Sequence, residues 1–436
     1  MQDIERPRLH FTPQKGWIND PNGLVYDGER YHLFAQHNPD DVRWGPMHWL
    51  HATSTDLLRW EDRGIALYPD ALGTMFSGSA VMTERGRMAL MYTAHGESQQ
   101  QCVAFSSDGE TFEKYAGNPV IPNPGIADFR DPKLFWNKRY ACWSVALAAS
   151  DRIDFYRSDD LIHWTKTGEF GAKENRFGEL FECPDCFALT APDGREVWVL
   201  TASMIFRGAE KGCRMQYFLG AFDGDAFVET MPSPEPLRLD AGYDCYAGVT
   251  YSGTRERTFI AWMTATSNPL PMPVYCGCLT LARTLRLVET DDGLRLAQRC
   301  VLPPHEMRAV PEDGTLPQGA FVLNARARGA FELSLSGAKS DESLGVGVDA
   351  QNCVFTKRDV SPLFAPGAAY NDDARRRTAV PRMRRGEVNL QIVCDSYCVE
   401  IFADDGLYAH GLLSFVPGGL RRLAATGDVS VEVARL

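Results

Sequence analysis

The turn STDLLRW, residues 54–60, returns in related form along the chain. Clear copies are SSDGETF at 106–112, RSDDLIHW at 157–164 and FDGDAF at 222–227, and TDDGLRL at 290–296 is a weaker one. The aromatic residues that end the four clear copies, Trp60, Phe112, Trp164 and Phe227, lie 52, 52 and 63 residues apart. Serine, aspartate and glycine form hairpin turns, and the aromatic residue that follows caps a strand that packs on its neighbour. Each copy therefore predicts one hairpin.

The spacing of these hairpins predicts the architecture. Units of a few strands that recur every roughly 40 to 50 residues or more are typical of a β-propeller. Four clear copies and one weak copy predict five blades, and helical periodicity is scarce along the chain. The alternative is a set of unrelated hairpins in an all-β protein of another kind.

The character of the sequence changes after residue 300. Residues 301–318 are rich in proline and turn residues, which predicts a linker. Beyond them, FELSLS at 331–336 and VSVEV at 429–433 alternate strictly between apolar and polar residues. Strands with one buried face and one solvent-exposed face are typical of antiparallel sheets stacked in a sandwich. We therefore expect a five-bladed β-propeller over residues 1–300, a linker, and a β-sandwich over residues 319–436.

The composition limits the partners. The chain has 436 residues, of which 44% are hydrophobic and 11% aromatic, and its net charge of −12 disfavours nucleic acid and anionic membranes. No stretch approaches the roughly 18 apolar residues of a membrane span, and MQDIERPRLHF at the N-terminus lacks the pattern of a secretory signal. Twelve cysteines scattered through so long a chain then favour reduced thiols and a cytoplasmic location.

Three acidic residues stand in apolar stretches with unusual neighbours. They are Asp20 in WINDPNG, Asp131 in DFRDPKLFW and Glu182 in LFECPDCF. Their separations of 111 and 51 residues correspond to about two blades and one blade of the repeat. Because the innermost strand of each propeller blade lines the central channel, acids on different blades can converge there. We therefore expect the three carboxylates to meet.

These motifs also have other interpretations. Arg130–Asp131 could be an ion pair before a turn, and the CxxC of residues 183–186 could be half a zinc site or a redox pair. Against the cysteine alternatives, no second CxxC exists, the nearest pair is the CxC of residues 276–278, and no βαβ pattern surrounds it. The HxxH of residues 48–51 lacks the glutamate of a metalloprotease helix. We expect no metal and no cofactor.

WINDPNG, FRDPK and FECPD, in this order, resemble the three signature boxes of glycoside hydrolase family 32, the invertases and fructan hydrolases. Further segments are similar to the family: HLFAQHNPDDVRWGPMHWLHATSTDLLRW, MFSGSAV, YDCYAG, IAWM and DSYCVEIFADDG. The resemblance extends over nearly the whole chain and implies a five-bladed propeller followed by a β-sandwich. The chain departs from the family at Ala35, His37 and Ala282, where an aromatic residue, tyrosine and proline are usual.

The resemblance implies a retaining glycosidase for fructofuranosides. Asp20 would attack the anomeric carbon and form a covalent fructosyl-enzyme, and Glu182 would protonate the departing oxygen and then deprotonate a water. Asp131 would hold fructose hydroxyls through hydrogen bonds that strengthen in the transition state. The expected substrate-binding residues are Asn19, Gln36, Trp44, Phe76, Ser77, Tyr92, Arg130, Cys183 and Trp262. Among them, Cys183 would also tune the environment of Glu182.

The expected activity is that of a β-fructofuranosidase that acts on sucrose and short fructo-oligosaccharides from the non-reducing end. An exo-fructanase for inulin or levan, a fructosyltransferase and a sucrose-6-phosphate hydrolase use the same chemistry and remain open. A fructan-binding protein on an inactive scaffold is disfavoured because all three carboxylates are present. An inverting arabinan-type hydrolase on a similar propeller lacks a WINDPNG box. The sandwich carries no comparable cluster, so we expect it to pack on the propeller or to support a homo-oligomer.

Overall fold

The computed structural model of the protein describes residues 5–171, 180–206, 212–242, 244–264, 272–338, 343–358, 377–416 and 418–436. Within these ranges the regular structure is entirely β, in thirty-two strands. No helix that could cross a membrane occurs among the described residues. Tyr243 of the YDCYAG segment lies outside them.

Five sheets follow one another along the chain as the blades of a propeller, which confirms the predicted all-β fold class. Blade 1 contains β1 (Gly16–Tyr26), β2 (Tyr31–Asn38), β3 (His48–Ser54) and β4 (Glu61–Leu67), and blade 2 contains β5 (Thr74–Met82), β6 (Met88–His95), β7 (Gln99–Ser106) and β8 (Glu113–Lys114). Blade 3 contains β9 (Phe129–Asn137), β10 (Cys142–Ala149), β11 (Arg152–Ser158) and β12 (Thr165–Phe170). Blade 4 contains β13 (Leu180–Thr190), β14 (Glu196–Phe206), β15 (Gly212–Phe222) and β16 (Phe227–Glu229). Blade 5 contains β17 (Tyr246–Thr250), β18 (Arg257–Trp262), β20 (Arg283–Thr290) and β21 (Gly293–Cys300).

The first strand of each blade is the innermost, and these five strands form a closed ring. β1 contacts β5, β5 contacts β9, β9 contacts β13, β13 contacts β17, and β17 contacts β1. The short strand β19 (Tyr275–Cys276) adds a second closure, because it leaves blade 5 and pairs in parallel with β1. The blades therefore surround one central axis, with the five innermost strands around it.

The repeated turn joins the third and fourth strands of blades 1 to 4. In blade 1, the Oγ of Ser54 accepts the backbone N–H of Leu57 at 2.9 Å, and the Oδ1 of Asp56 accepts that of Arg59 at 2.8 Å. The same two bonds recur in blades 2 and 3 on the pairs Ser106–Asp108 and Ser158–Asp160, and blade 4 keeps the aspartate bond at Asp223. These local bonds fix the turn, which explains why the serine and aspartate return in blades 1 to 3 and the aspartate in blade 4.

Two further sheets stack as a sandwich after the propeller. One has the order β22-β32-β23-β28-β29-β30 and the other β27-β26-β25-β24-β31. Residues 331–336 alternate between buried and half-buried, as predicted, whereas in 429–433 only Val433 is buried. The strands are β22 (Arg308–Ala309), β23 (Phe321–Arg328), β24 (Phe331–Ser336), β25 (Ser343–Val348), β26 (Cys353–Arg358), β27 (Arg377–Pro381), β28 (Glu387–Asp395), β29 (Cys398–Ala403), β30 (Tyr408–Leu413), β31 (Arg422–Thr426) and β32 (Val429–Arg435).

A buried ionic cluster, called here the interface cluster, joins the propeller to the sandwich through His10, Asp240, Arg283, Asp395 and Glu400. His10 contacts Asp395 at 2.9 Å through Nδ1 and Glu400 at 3.0 Å through Nε2. Arg283 contacts Asp240 at 2.8 Å and Glu400 at 2.6 Å, and no side chain of the cluster is more than 1% exposed. Two basic side chains thus lie among three carboxylates. Buried charges paired so closely are tolerated, but losing one partner is costly.

Candidate active site

The innermost strands of all five blades are irregular, and in blades 1 to 4 the irregularity lies where predicted site residues are found. The pairing register with the next strand shifts within residues 18–21, 76–78, 130–133, 182–185 and 246–249. Such bulges bend a strand and redirect its side chains. The sequence favours them in three blades, because Pro21, Pro132 and Pro184 carry no N–H for the ladder.

Three residues at these bulges adopt left-handed backbone angles. They are Asp131 (φ 64°), Cys183 (φ 44°) and Ala247 (φ 52°), all of types that rarely do so. Hydrogen bonds between blades hold each of them. The backbone N–H of Asp131 donates to the Oγ1 of Thr93 at 3.0 Å, that of Cys183 to the Oδ2 of Asp131 at 3.0 Å, and that of Ala247 to the Oγ of Ser203 at 2.9 Å. The positions of the site residues therefore depend on how neighbouring blades meet.

Asp20 accepts hydrogen bonds from three neutral side chains. Asn19 donates to its Oδ1 at 3.1 Å, and Gln36 and Ser77 donate to its Oδ2 at 3.1 and 2.5 Å. The indole N–H of Trp17 donates to Asn19 at 2.9 Å and orients that amide. The turn around Asp20 thus supplies donors that favour an ionised carboxylate.

Glu182 is held at both carboxylate oxygens. Arg130 donates to its Oε1 at 2.8 Å, and the hydroxyl of Tyr246 donates to its Oε2 at 2.5 Å. Arg130 is fixed in turn by Asp128 at 2.5 Å and by the side-chain carbonyl of Gln99 at 3.1 Å. Because the side chain of Glu182 is 18% exposed, it lies at the open side of the cluster.

Cys183 lies between two of the carboxylates. Its Sγ is 3.7 Å from the Oδ2 of Asp20 and 3.6 Å from the Oδ2 of Asp131. Cys186 instead packs in a separate apolar core with residues of blades 3 and 4 such as Phe155. The two cysteines of the CxxC motif therefore belong to different environments, and Cys183 directly contacts Asp20 and Asp131.

The guanidinium group of Arg130 contacts two of the three carboxylates, Glu182 at 2.8 Å and Asp131 at 3.9 Å. Burial raises the pKa of Asp20, an effect that the hydrogen bond from Ser77 opposes and the charge of Glu182 reinforces. Burial also raises the pKa of Asp131 to about 7, opposed by Arg130 and reinforced by the charges of Glu182 and Asp20. The cluster is therefore short of positive charge.

Aromatic rings flank this cluster. Trp44 is 48% exposed and meets Phe76 edge to face at 6.1 Å between ring centroids. Phe76 stacks on His95 at 4.3 Å. Trp262, which is 6% exposed, packs edge to face on Trp17 at 5.9 Å. Of these three rings, Trp44 is therefore the most exposed to solvent, and Phe76 and Trp262 lie deeper in the protein.

The structure does not bring Tyr92 to the carboxylates. Its ring is fully buried in the apolar core between blades 1 and 2, where it meets Trp49 at 6.2 Å. Side chains alternate along a strand, so it is the next residue, Thr93, that reaches Asp131. The other predicted site residues, Asn19, Gln36, Trp44, Phe76, Ser77, Arg130, Cys183 and Trp262, lie in the cluster or against its aromatic flank.

Sequence reasoning did not select three residues of the site. Tyr246 donates to Glu182, Asp128 accepts from Arg130, and the Oγ1 of Thr93 accepts the backbone N–H of Asp131. A signal for Tyr246 was available, because it belongs to the YDCYAG segment. For Thr93, only the pairing of blades 2 and 3 reveals the contact.

Comparison with known proteins identifies the family. Residues 10–299 match the model of the glycosyl hydrolases family 32 N-terminal domain. A levanase of Bacillus subtilis strain 168 is 37% identical over 98% of this chain and 69% of its own length. The exo-inulinase from Aspergillus awamori superposes with a TM-score of 0.86 at 27% identity over 99% of both chains. The β-fructofuranosidase from Schwanniomyces occidentalis complexed with fructosyl-erythritol gives 0.87 at 25% identity over 99% of this chain and 98% of its own. The chain therefore belongs to glycoside hydrolase family 32.

Proposed function

We propose that the protein is a retaining β-fructofuranosidase that releases the terminal fructose of sucrose and short fructo-oligosaccharides. The observation that carries this proposal is the convergence of Asp20, Asp131 and Glu182, from blades 1, 3 and 4. Cys183 contacts Asp20 and Asp131, and Arg130 contacts Asp131 and Glu182. A retaining glycosidase requires one carboxylate as nucleophile and a second carboxyl group as acid and base. Different hydrogen-bond partners equip the two groups for these roles.

In the first step, Asp20 attacks the anomeric carbon of the fructosyl group. A bond forms from its carboxylate oxygen as the bond to the leaving oxygen breaks, and the carboxyl proton of Glu182 moves to that oxygen. Asn19, Gln36 and Ser77 hold the attacking carboxylate in position. The glucose of sucrose then departs as a neutral alcohol.

In the second step, the carboxylate of Glu182 takes a proton from water. The water oxygen attacks the anomeric carbon, and the bond to Asp20 breaks, so two displacements give net retention. Arg130 and Tyr246 hold Glu182 through both steps and stabilise its ionised form after the first. Asp131 accepts hydrogen bonds from fructose hydroxyls, which strengthen as positive charge develops on the ring.

The central channel supports an exo mode of attack. Beyond the carboxylates, Lys133 of β9 contacts Asp185 of β13 at 3.1 Å and donates to the carbonyl of Thr250 in β17 at 2.5 Å. The Lys133 side chain is 8% exposed and that of Asp185 only 1%. These contacts link three innermost strands and close the channel beneath the site, so the site admits one chain end.

A second candidate keeps the chemistry but changes the substrate to a fructan polymer. The identity to a levanase over 98% of this chain favours levan. Exposed Trp44 at the outer edge of the site offers a surface for further sugar units.

The test is product analysis on sucrose, sucrose 6-phosphate, inulin and levan side by side. NMR identifies the anomer of the fructose when it is first released. We expect β-fructofuranose first from sucrose and fructose alone from the polymers, and no reaction with D20N protein. An inverted first product would contradict the retaining mechanism. Mixed oligosaccharides from inulin at early times would contradict the exo mode.

A further inference from the structure

His95, at the end of β6, lies beside the reacting groups with hydrogen-bonding capacity unused. Its ring stacks on Phe76 at 4.3 Å and 26°. Phe76 directly precedes Ser77, which donates to Asp20. The Nδ1 of His95 is buried and has no hydrogen-bond partner in the part of the chain that the structure describes, whereas the residue as a whole is only half-buried. A sugar hydroxyl cannot reach the buried Nδ1, so the other ring nitrogen, Nε2, is the atom that can meet a ligand.

The backbone around His95 is tightly enclosed. A Cβ on Gly73 would lie 2.2 Å from the carbonyl carbon and oxygen of His95, and one on Gly96 would lie 2.6 Å from the carbonyl of Leu72. These glycines let the segments on either side approach closely. Together with the stacking on Phe76, this contact fixes the imidazole in place before any sugar arrives, as a binding residue requires.

His95 also lies on the side of the site where the acid acts. It pairs across the turn with Gln99, whose side chain accepts a hydrogen bond from Arg130 at 3.1 Å. Arg130 in turn donates to Glu182. The leaving-group oxygen must reach Glu182 for protonation, so the sugar attached to that oxygen extends past the groups around Arg130.

The imidazole has the right chemistry for a sugar hydroxyl. Burial and the positive charge of Arg130 lower the pKa of His95, so the ring is neutral near neutral pH. A neutral imidazole offers one donor and one acceptor, as a hydroxyl does.

We propose that His95 binds a hydroxyl of the leaving-group sugar and thereby helps to determine which fructosides the enzyme cleaves. This inference rests on the proposed function. It concerns the recognition of the departing sugar, whereas the carboxylates act on the fructose.

The experiment compares two substrates with the same fructosyl group, sucrose and β-fructofuranosyl fluoride. In H95A, we expect kcat/KM for sucrose to fall about three- to tenfold, the effect of one neutral hydrogen bond. The kcat/KM of H95A for the fluoride should stay within about twofold of wild type, because the leaving group is fluoride and not a sugar. H95Q, which retains a donor and an acceptor, should lose less on sucrose. His163, whose side chain is 86% exposed on blade 3, provides the control H163A, with no effect on either substrate.

Equal losses of kcat/KM on both substrates would overturn the inference, because they would mean that His95 contacts the fructosyl group or only supports the fold. Unchanged kinetics on both would overturn it as well. If H95A fails to fold, as judged by circular dichroism, the comparison is made with H95Q. Failure of the wild-type protein to cleave either substrate would instead refute the proposed function.

Discussion

The active-site carboxylates and the interface cluster are both sets of three acids enclosed by the same molecule, and their environments differ in the supply of positive charge. Arg130 contacts two of the active-site acids, Asp131 and Glu182, and the pKa values of Asp20 and Asp131 are raised. The interface acids have His10 and Arg283, and there the pKa values of Asp395 and Glu400 are lowered. Burial opposes ionisation in both places.

The partners account for the difference. At Asp395 and Glu400, burial alone would raise the pKa, but His10 and Arg283 outweigh it. The backbone N–H groups of residues 8–10 also donate to Asp395. At the active site, neutral donors hold Asp20, and Cys183 separates it from Asp131. Asp20, which must form a bond, is thus held by neutral donors, whereas the acids that hold two parts of the fold together are paired with cations.

The largest effect is expected at the nucleophile. D20N protein cannot form the covalent intermediate, so turnover of every fructoside should fall by about four orders of magnitude or more. Initial rates on sucrose and on fructosyl fluoride measure this loss, with thermal unfolding as the control for folding. Turnover within tenfold of wild type would show that another group attacks.

The acid and base should show a loss that depends on the leaving group. E182Q should be slowed by about 10²- to 10⁴-fold on sucrose, because glucose departs poorly without a proton. The fructosylation step with fructosyl fluoride should be much less affected, and a pre-steady-state burst should appear because water has lost its base. Azide, which needs no base, should restore turnover and give fructosyl azide of retained configuration. Equal losses with no azide rescue would exclude Glu182 from this role.

Breaking the interface cluster should cost stability and leave the chemistry intact. E400Q removes the negative charge between His10 and Arg283, and an unpaired buried charge costs about 3–5 kcal/mol. Urea unfolding followed by tryptophan fluorescence measures the change. The matched control is E387Q, from the exposed pair Arg328–Glu387 at 3.5 Å, which should hardly shift the midpoint. Equal midpoints for both variants would contradict the comparison.

The pH dependence of stability should reveal the protonated state of His10. Burial would lower its pKa, but hydrogen bonds and charges from Asp395 and Glu400 raise it to about 10 from the usual 6.5. Its contribution is therefore fully present below pH 6.5 and lost as the pH rises towards 10. Melting temperatures from pH 6 to 10 should fall less steeply for H10Q than for wild type. Parallel curves would mean that His10 is neutral in the fold.

The smallest effect on stability is expected when the buried carboxyl group of Asp131 is replaced by an amide. With its pKa raised to about 7 from 3.8, Asp131 favours the folded state below pH 3.8, and this contribution is lost as the pH rises through 7. D131N should therefore melt a few degrees higher than wild type at pH 8 while losing activity. A lower melting temperature at pH 8 would show that the contacts of Asp131 with Cys183 and Arg130 outweigh the cost of its charge.

The parts of the molecule that could be predicted from sequence depend on local bonds. The serine and aspartate of the repeated turn bond within three residues, so their spacing predicted the blades. The three acids could be predicted because each lies in a motif with proline at a fixed position. Contacts across blades could not be predicted. The bond from Tyr246 of blade 5 to Glu182 of blade 4 depends on how these blades meet. Tyr92 lies in none of the motifs, and the sequence does not show which face of its strand is buried.

The pairing of β1 with β19 has a consequence for the order of events during synthesis. A ribosome releases the strand that carries Asp20 among the first, and its parallel partner only after four further blades have begun to emerge. Until then Gly16 and Trp17 of that strand lack their partners in β19. A nascent chain that stops before Tyr275 already contains the nucleophile, the arginine and the acid, but not the strand that joins the last blade to the first. The ring of blades around the carboxylates is therefore completed only late in synthesis.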